Sequence, residues 1–279
     1  MGNVALVQIT VPNHRLLNLD IKDIYAIIPI SKTIKITKSQ LLKNNDIQTT
    51  NQIITILEIV LNFSFQGQIY QPDKGLAMGS PVSGTMAEIF LQHLENTHVK
   101  HLIESNILSF YTRYVDDILV MYDSTLTTPD NIQRYLTIIH NNIQLSLTHE
   151  NNHSVNFLDL TITRKQSHLD ISIYRKPTTT DTTINILFNH PPKHKLVAYW
   201  FLINRMLTLP IPQEQRHEEW QNILHFAHRN NFPRSLITNL KHRIEKKLTQ
   251  PTPPTTPRHD TKWTTFRSGK SLTFSNILT

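Results

Sequence analysis

The chain has 279 residues, 39% of them hydrophobic, no cysteine and a net charge of +7, which suits a globular protein with a substantial core in one large domain or two modest ones. It has no run of about 18 apolar residues and no basic-then-apolar N-terminus, so a membrane span and a secretory signal are not expected and a soluble intracellular protein is. Without cysteine there are no disulfides, thiolate zinc sites or cysteine nucleophiles, and any metal must be held by oxygen or imidazole.

Residues 16–19 read as a short strand running into Asp20, and residues 52–61 have helical spacing. Residues 63–65 and 68–70 flank Gly67 as a hairpin. Ser80 at an N-cap and Pro81 at the first helical position open a helix carrying Val82, Met86, Ile89, Phe90 and Leu94. Residues 110–115 and 118–121 are apolar runs with only Asp116-Asp117 between them, which fits two strands joined at a tight acidic turn. Thr128-Pro129 opens a further helix through Ile132, Leu136, Ile139 and Ile143; strands are expected at 144–148, 155–163 and 169–174. Helices interleaved with antiparallel strands predict an α+β fold, one sheet backed by helices.

Around Arg175-Lys176-Pro177 the texture changes. Residues 178–183 form a polar loop, and helices are expected at about 193–207, 214–228 and 233–248. From Pro251 the stretch PTPPTTPRHDTK is too rich in proline to fold, so 250–279 read as a disordered tail or linker. The charge is also uneven: residues 1–185 hold 14 Lys+Arg against 16 Asp+Glu, whereas 186–279 hold 14 against 5. All the excess positive charge lies in the C-terminal third, where a polyanion would be drawn; a solvated basic surface is the plain alternative.

The chemistry centres on FYTRYVDDILVMYD. An Asp-Asp in a turn is most often just solvated, but adjacent carboxylates among apolar residues repel each other unless a cation compensates. Magnesium prefers oxygen ligands, and a pair of such ions can activate a 3′-hydroxyl and stabilise a leaving pyrophosphate. LLNLDIKDIYAIIP supplies a third carboxylate, Asp20, at the end of an apolar run. Tyr25, five residues on, is an aromatic placed to close the floor of a nucleotide site. QPDKGLAMGSPVSG lies between the acidic elements, where small residues let a base pair or backbone approach closely.

In this order, Asp20…Tyr25, then Lys74-Gly75-Leu76-Ala77-Met78-Gly79-Ser80-Pro81, then Tyr114-Val115-Asp116-Asp117 resembles palm motifs A, B and C of reverse transcriptases. Asn156-Phe157-Leu158-Asp159-Leu160 and Ile173-Tyr174-Arg175-Lys176-Pro177-Thr178, followed by Thr180-Asp181 and Asn189-His190-Pro191, are similar to the Penelope-like retroelement branch of that family. The resemblance spans about residues 14–248. It implies a polymerase palm over 1–176, a helical thumb with a helix-turn-helix-like segment over 177–249, and an RNA-directed DNA polymerase of a retrotransposon. It implies Asp20, Asp116 and Asp117 as catalytic carboxylates holding two magnesium (or manganese) ions, Asp20 and Asp116 as the principal ligands and Asp117 as the second aspartate of the pair, nearer the primer end. Tyr25 becomes the gate that favours deoxynucleotides, and Gly79, Ser80 and Pro81 shape the template and nucleotide side of the cleft. Phe157 and Leu158 are assigned to a primer-gripping hairpin. Arg234, Lys241, Arg243, Lys246 and Lys247 are assigned to phosphate contacts. The partners implied are an RNA template, a DNA primer and deoxynucleoside triphosphates, with no membrane, in the nucleus.

Other residues are read plainly. Asp23 is expected to be solvated or capping, Lys165 an ordinary surface lysine, and His190 with His194 no zinc pair because Pro191-Pro192 intervene. Gly269-Lys270-Ser271 lacks the upstream glycine of a phosphate loop. Only 19 residues precede Asp20, too few for a fingers region, and no endonuclease signature follows Pro251. The expectation is therefore a truncated copy or partial domain that is weak or inactive alone. The alternatives are a catalytically dead nucleic-acid-binding remnant and, with less support, a telomerase-like terminal extender.

Overall fold

A computed structural model describes residues 13–250 apart from 73, 140–142, 167 and 181. The expected tail and Gly269-Lys270-Ser271 lie outside the described residues. The chain divides between Phe157 and Leu158 into two compact units.

The first unit is built on β1 (His14–Ile21), whose Leu17, Leu19 and Ile21 are buried on one face while Asp20 points to the other. After Asp23, at φ 50, come α1 (Ile24–Ile27), α2 (Ile30–Leu41) and α3 (Ile47–Val60). Asp46 caps α3 by accepting from the Thr49 N–H at 2.8 Å. The hairpin of β2 (Phe63–Phe65) and β3 (Gln68–Tyr70) turns at Gln66-Gly67. Next are α4 (Ser83–Leu94), a π-helical turn (Glu95–Val99) and α5 (Lys100–Glu104). β4 (Leu108–Tyr114) and β5 (Asp117–Asp123) form a hairpin, followed by α6 (Pro129–Ile139), β6 (Leu145–His149) and β7 (Ser154–Phe157).

Four strands make one antiparallel sheet in the order β4-β5-β1-β6. Leu17, Leu19 and Ile21 of β1 and Ile118, Val120 and Tyr122 of β5 form one core with Met86, Ala87, Phe90 and Leu91 of α4. β1 alternates buried and half-buried residues from Leu17 onward, whereas β5 is buried without a break from Ile118 to Tyr122, the pattern of a central strand.

Several boundaries differ from the sequence expectation. α4 begins at Ser83, not at Ser80-Pro81: the Ser83 hydroxyl donates to the Ala77 carbonyl at 2.7 Å, tying the helix start back into the preceding loop. α2 is a helix that sequence reasoning did not assign; its Thr33 and Thr37 hydroxyls are satisfied by the Pro29 and Thr33 carbonyls, so they pack inside without loss. Ile143 lies beyond the end of α6, buried in the core. The single strand expected over 155–163 is interrupted, because Leu158 takes a left-handed φ of 54°.

The second unit opens with an antiparallel hairpin, β8 (Leu160–Arg164) and β9 (Leu169–Ile173). Three helices follow: α7 (Pro192–Thr208), α8 (Gln213–Arg229) and α9 (Arg234–Thr249). Proline sits at or just before each helix start, where its fixed φ and missing donor cost nothing. Tyr199, Ile203 and Met206 of α7 pack with Ile223 and Ala227 of α8, Phe232, and Ile237 and Ile244 of α9. The buried Glu219 is compensated by Arg175 and, at 3.6 Å, by Arg205, which also reaches Asp159 at 3.0 Å. Among the described residues no helix is long and apolar enough to cross a membrane.

Candidate active site

The sheet register sets Asp20 opposite Asp117, with Asp116 in the adjoining turn. Asp20 on β1 is the direct partner of Asp117 on β5, which sets their Cα atoms about 4.5–5.5 Å apart. Both lie on the face opposite the helical core, because Ile21 and Ile118 beside them point into that core. Tyr114 pairs with Asp117, so Val115 and Asp116 alone make the turn. Val115 takes φ 56°, rare for a β-branched residue. The Ile21 N–H donates to the Asp116 carbonyl at 3.0 Å, which stitches the turn to the end of β1. All three aspartates are half-buried.

On the other side of Asp20, β6 presents Ser146 as its register partner, and the Ser146 hydroxyl donates to Asp20 Oδ2 at 3.3 Å. Sequence reasoning missed Ser146; residues 144–148 read as a strand, but nothing local indicates which strand it pairs with.

Tyr25 sits on α1 against the core. Its carbonyl accepts from the Leu76 N–H at 2.7 Å, so the loop of residues 74–81 is pinned beside it. Gly75 makes that approach feasible. At φ 70°, a Cβ on it would meet the Tyr25 oxygen and the Ala26 Cα at 2.7 Å. Gly79, at φ 87°, has nothing within 4 Å of such a Cβ, and Pro81 is exposed. The Ser80 hydroxyl oxygen is shielded and has no hydrogen-bond partner among the described residues.

Behind the turn, on the helix-covered face, Arg113 of β4 is nearly buried, with 5% of its side chain exposed. It bonds Glu95 through Nε, Glu88 through both terminal nitrogens at 3.0 and 3.1 Å, and the Val115 carbonyl through Nη1 at 3.0 Å. Burial works against the charged form of Glu88, but the hydrogen bonds and charge of Arg113 outweigh it and lower its pKa. Burial and the adjacent Glu95 carboxylate push the Tyr111 hydroxyl well up, so it stays a donor to Glu95.

The remaining predicted residues are more scattered. Phe157 is fully buried, so its side chain is a core element and not exposed to a primer; Leu158 is half-exposed at the strained turn. Arg234, Arg243, Lys246 and Lys247 are exposed on α9, whereas Lys241 is engaged with Glu245 at 3.2 Å and lies over the Trp220 ring. Asp23 is exposed and makes no side-chain cap, and Lys165 forms a surface ion pair with Asp170 at 3.7 Å.

The donor set fits a hard divalent cation in kind: carboxylates at adjacent strand ends. Among the described residues no three His, Asp or Glu side chains already form a cluster able to hold a metal by themselves.

Comparison with known proteins adds a family and a fold. The family model for reverse transcriptase (RNA-dependent DNA polymerase) matches residues 5–155. No curated protein matches the sequence. Among solved structures, telomerase from Candida albicans in complex with a TWJ fragment of telomeric RNA is similar at TM-score 0.58 and 15% identity, covering 85% of this chain and 41% of that one. Apo telomerase from Candida tropicalis (TM-score 0.47, 15% identity, 84% and 45% covered) and the RNA-dependent RNA polymerase of a human picobirnavirus (TM-score 0.49, 11% identity, 78% and 42% covered) also align. The chain thus spans about two fifths of the first of these structures. The likeness at TM-score 0.58 shows the fold: mixed helices and antiparallel sheet, as in a polymerase palm.

Proposed function

Because the chain belongs to the reverse transcriptase (RNA-dependent DNA polymerase) family, we propose that it extends a DNA primer on an RNA template by two-metal nucleotidyl transfer, with Asp20, Asp116 and Asp117 as the metal-binding carboxylates. The observation that carries this reading is the pairing of Asp20 with Asp117, with the Asp116 carbonyl bonded to the next residue of β1. Residues almost a hundred positions apart meet at the ends of the two central strands, on the face not committed to the helical core.

Two magnesium or manganese ions, when bound, supply activation of the primer 3′-hydroxyl and stabilisation of the leaving pyrophosphate. The chain's own residues do the rest. Asp20 and Asp117 offer carboxylate oxygens side by side; Ser146 orients Asp20 by donating to it. Tyr25, fixed through its carbonyl to Leu76, stands as the gate that excludes a ribose 2′-hydroxyl. Gly79, Ser80 and Pro81 shape the nucleotide side, and the unpartnered Ser80 hydroxyl is free to bond an incoming nucleotide or template. Arg234, Arg243, Lys246 and Lys247 on α9, with Lys241, contact template-primer phosphates from a thumb and helix-turn-helix-like segment. The motifs at 156–160 and 173–178 support assignment to a Penelope-like retrotransposon.

The test is primer extension on an RNA template with magnesium. The chain by itself is expected to incorporate deoxynucleotides only weakly, Asp116→Asn to lower that activity roughly 10²–10³-fold, and Tyr25→Ala to raise ribonucleotide use about tenfold. Full activity in Asp116→Asn removes the proposal. A second reading, a nucleic-acid-binding remnant, is favoured by the exposed basic residues of α9 and would show salt-dependent binding without synthesis.

A further inference from the structure

We infer that Arg113 is a positioning residue for the acidic turn: its buried guanidinium, clamped by Glu88 and Glu95, fixes the Val115 carbonyl and with it the setting of Asp116 and Asp117. The inference rests on the reading of these aspartates as the metal site.

Arg113 pairs with Ile118 and faces the helical side of the sheet, whereas Asp117 and Asp20 face away. It therefore acts through the backbone and touches neither metal nor substrate. The guanidinium is a rigid fork of five donors, and five acceptor atoms fill it: both oxygens of Glu88, both oxygens of Glu95 and the Val115 carbonyl. Each carboxylate is itself held. Tyr111 donates to Glu95 at 2.9 Å and Gln92 donates to Glu88 at 2.7 Å. Glu95 opens the π-helical turn after α4, a local widening that redirects side chains and is often found where a helix serves a site.

A buried ion cluster of this kind is seldom the most stable filling for its space, since apolar residues of like volume often do as well. What it uniquely supplies is orientation. Val115 needs that support, because a β-branched residue in the left-handed region relaxes unless its surroundings hold it. Lysine, whose three donors radiate from one nitrogen, cannot reproduce the planar five-donor fork that spans both carboxylates and the carbonyl.

The experiment uses the full chain with Arg113→Lys, Glu88→Gln and Asp116→Asn, checked for folding by circular dichroism. Amide exchange of Ile21, whose N–H is bonded to the Asp116 carbonyl, reports the turn without any metal. Mn2+ titration followed by electron paramagnetic resonance reports the site. Arg113→Lys is expected to speed Ile21 exchange roughly tenfold while the Leu17 and Val120 amides are unchanged, and to weaken Mn2+ binding about tenfold. If Arg113→Lys does not fold, Glu88→Gln at a half-exposed position is expected to move both readouts about threefold in the same direction. Wild-type Ile21 exchange in the folded variant overturns the inference. Mn2+ binding lost in Asp116→Asn yet intact in Arg113→Lys overturns it while leaving the metal-site reading standing. Mn2+ binding indifferent to Asp116→Asn sinks the metal site itself.

Discussion

Gly75 and Gly79 both take positive φ, yet they do different work. At Gly75 an added methyl collides with the Tyr25 and Ala26 backbone, which cannot swing aside as a flexible side chain would; at Gly79 it meets open space. Gly75→Ala is therefore expected to cost about 2–5 kcal/mol, from backbone strain plus overpacking, and Gly79→Ala only about 1–2 from strain alone. Urea unfolding of the two variants checks the order, and equal losses would contradict the close packing of this loop on Tyr25. Asp20, Asp116 and Asp117 were legible in the sequence because acidic residues bounded by apolar runs stand out. Gly75, Ser146 and Arg113 were not, since their roles depend on which strand or backbone lies opposite. The burial of Phe157 likewise depends on the fold: an aromatic in a strand reads the same whether it faces solvent or core.

At the level of elements, two apolar runs parted by Asp116-Asp117 identified the β4-β5 hairpin, and helical spacing identified α7, α8 and α9, because these segments are long and consistently patterned. α2 escaped because ISKTIKITKSQL mixes β-branched and polar residues, and its helical state depends on Thr33 and Thr37 bonding back to carbonyls one turn earlier. The Arg113 cluster links α4, the π-helical turn and β4, and it gives the fold a pH signature. The folded pKa of Glu88 lies below its ordinary value of 4.5, so its contribution is present above that pH and is lost as pH falls through the folded pKa. The urea midpoint of the wild type is expected to drop with acid below about pH 4.5, and Glu88→Gln to show a shallower drop over the same range. Identical slopes would mean that the ion pair adds nothing to folding.

For the whole molecule, charge and chemistry are segregated along the chain. The strand ends bearing the aspartates belong to the first unit, and the exposed cations of α9 belong to the second, where 14 Lys+Arg face 5 Asp+Glu from residue 186 onward. Each phosphate neutralised adds about 0.9 to the slope of log affinity against log salt on duplex. Lys246→Gln with Lys247→Gln should lower that slope by about 2 in binding to primer-template, and an unchanged slope would make these lysines a merely solvated surface. The polymerase reading itself depends on a cation being shared across two strands. The most direct measurement is an anomalous-difference map from crystals grown with Mn2+ and a nucleotide. Density between Asp20 and the Asp116-Asp117 turn, within about 2.0–2.3 Å of carboxylate oxygens from both, is the predicted result; Mn2+ bound elsewhere, with those carboxylates bare, would contradict it.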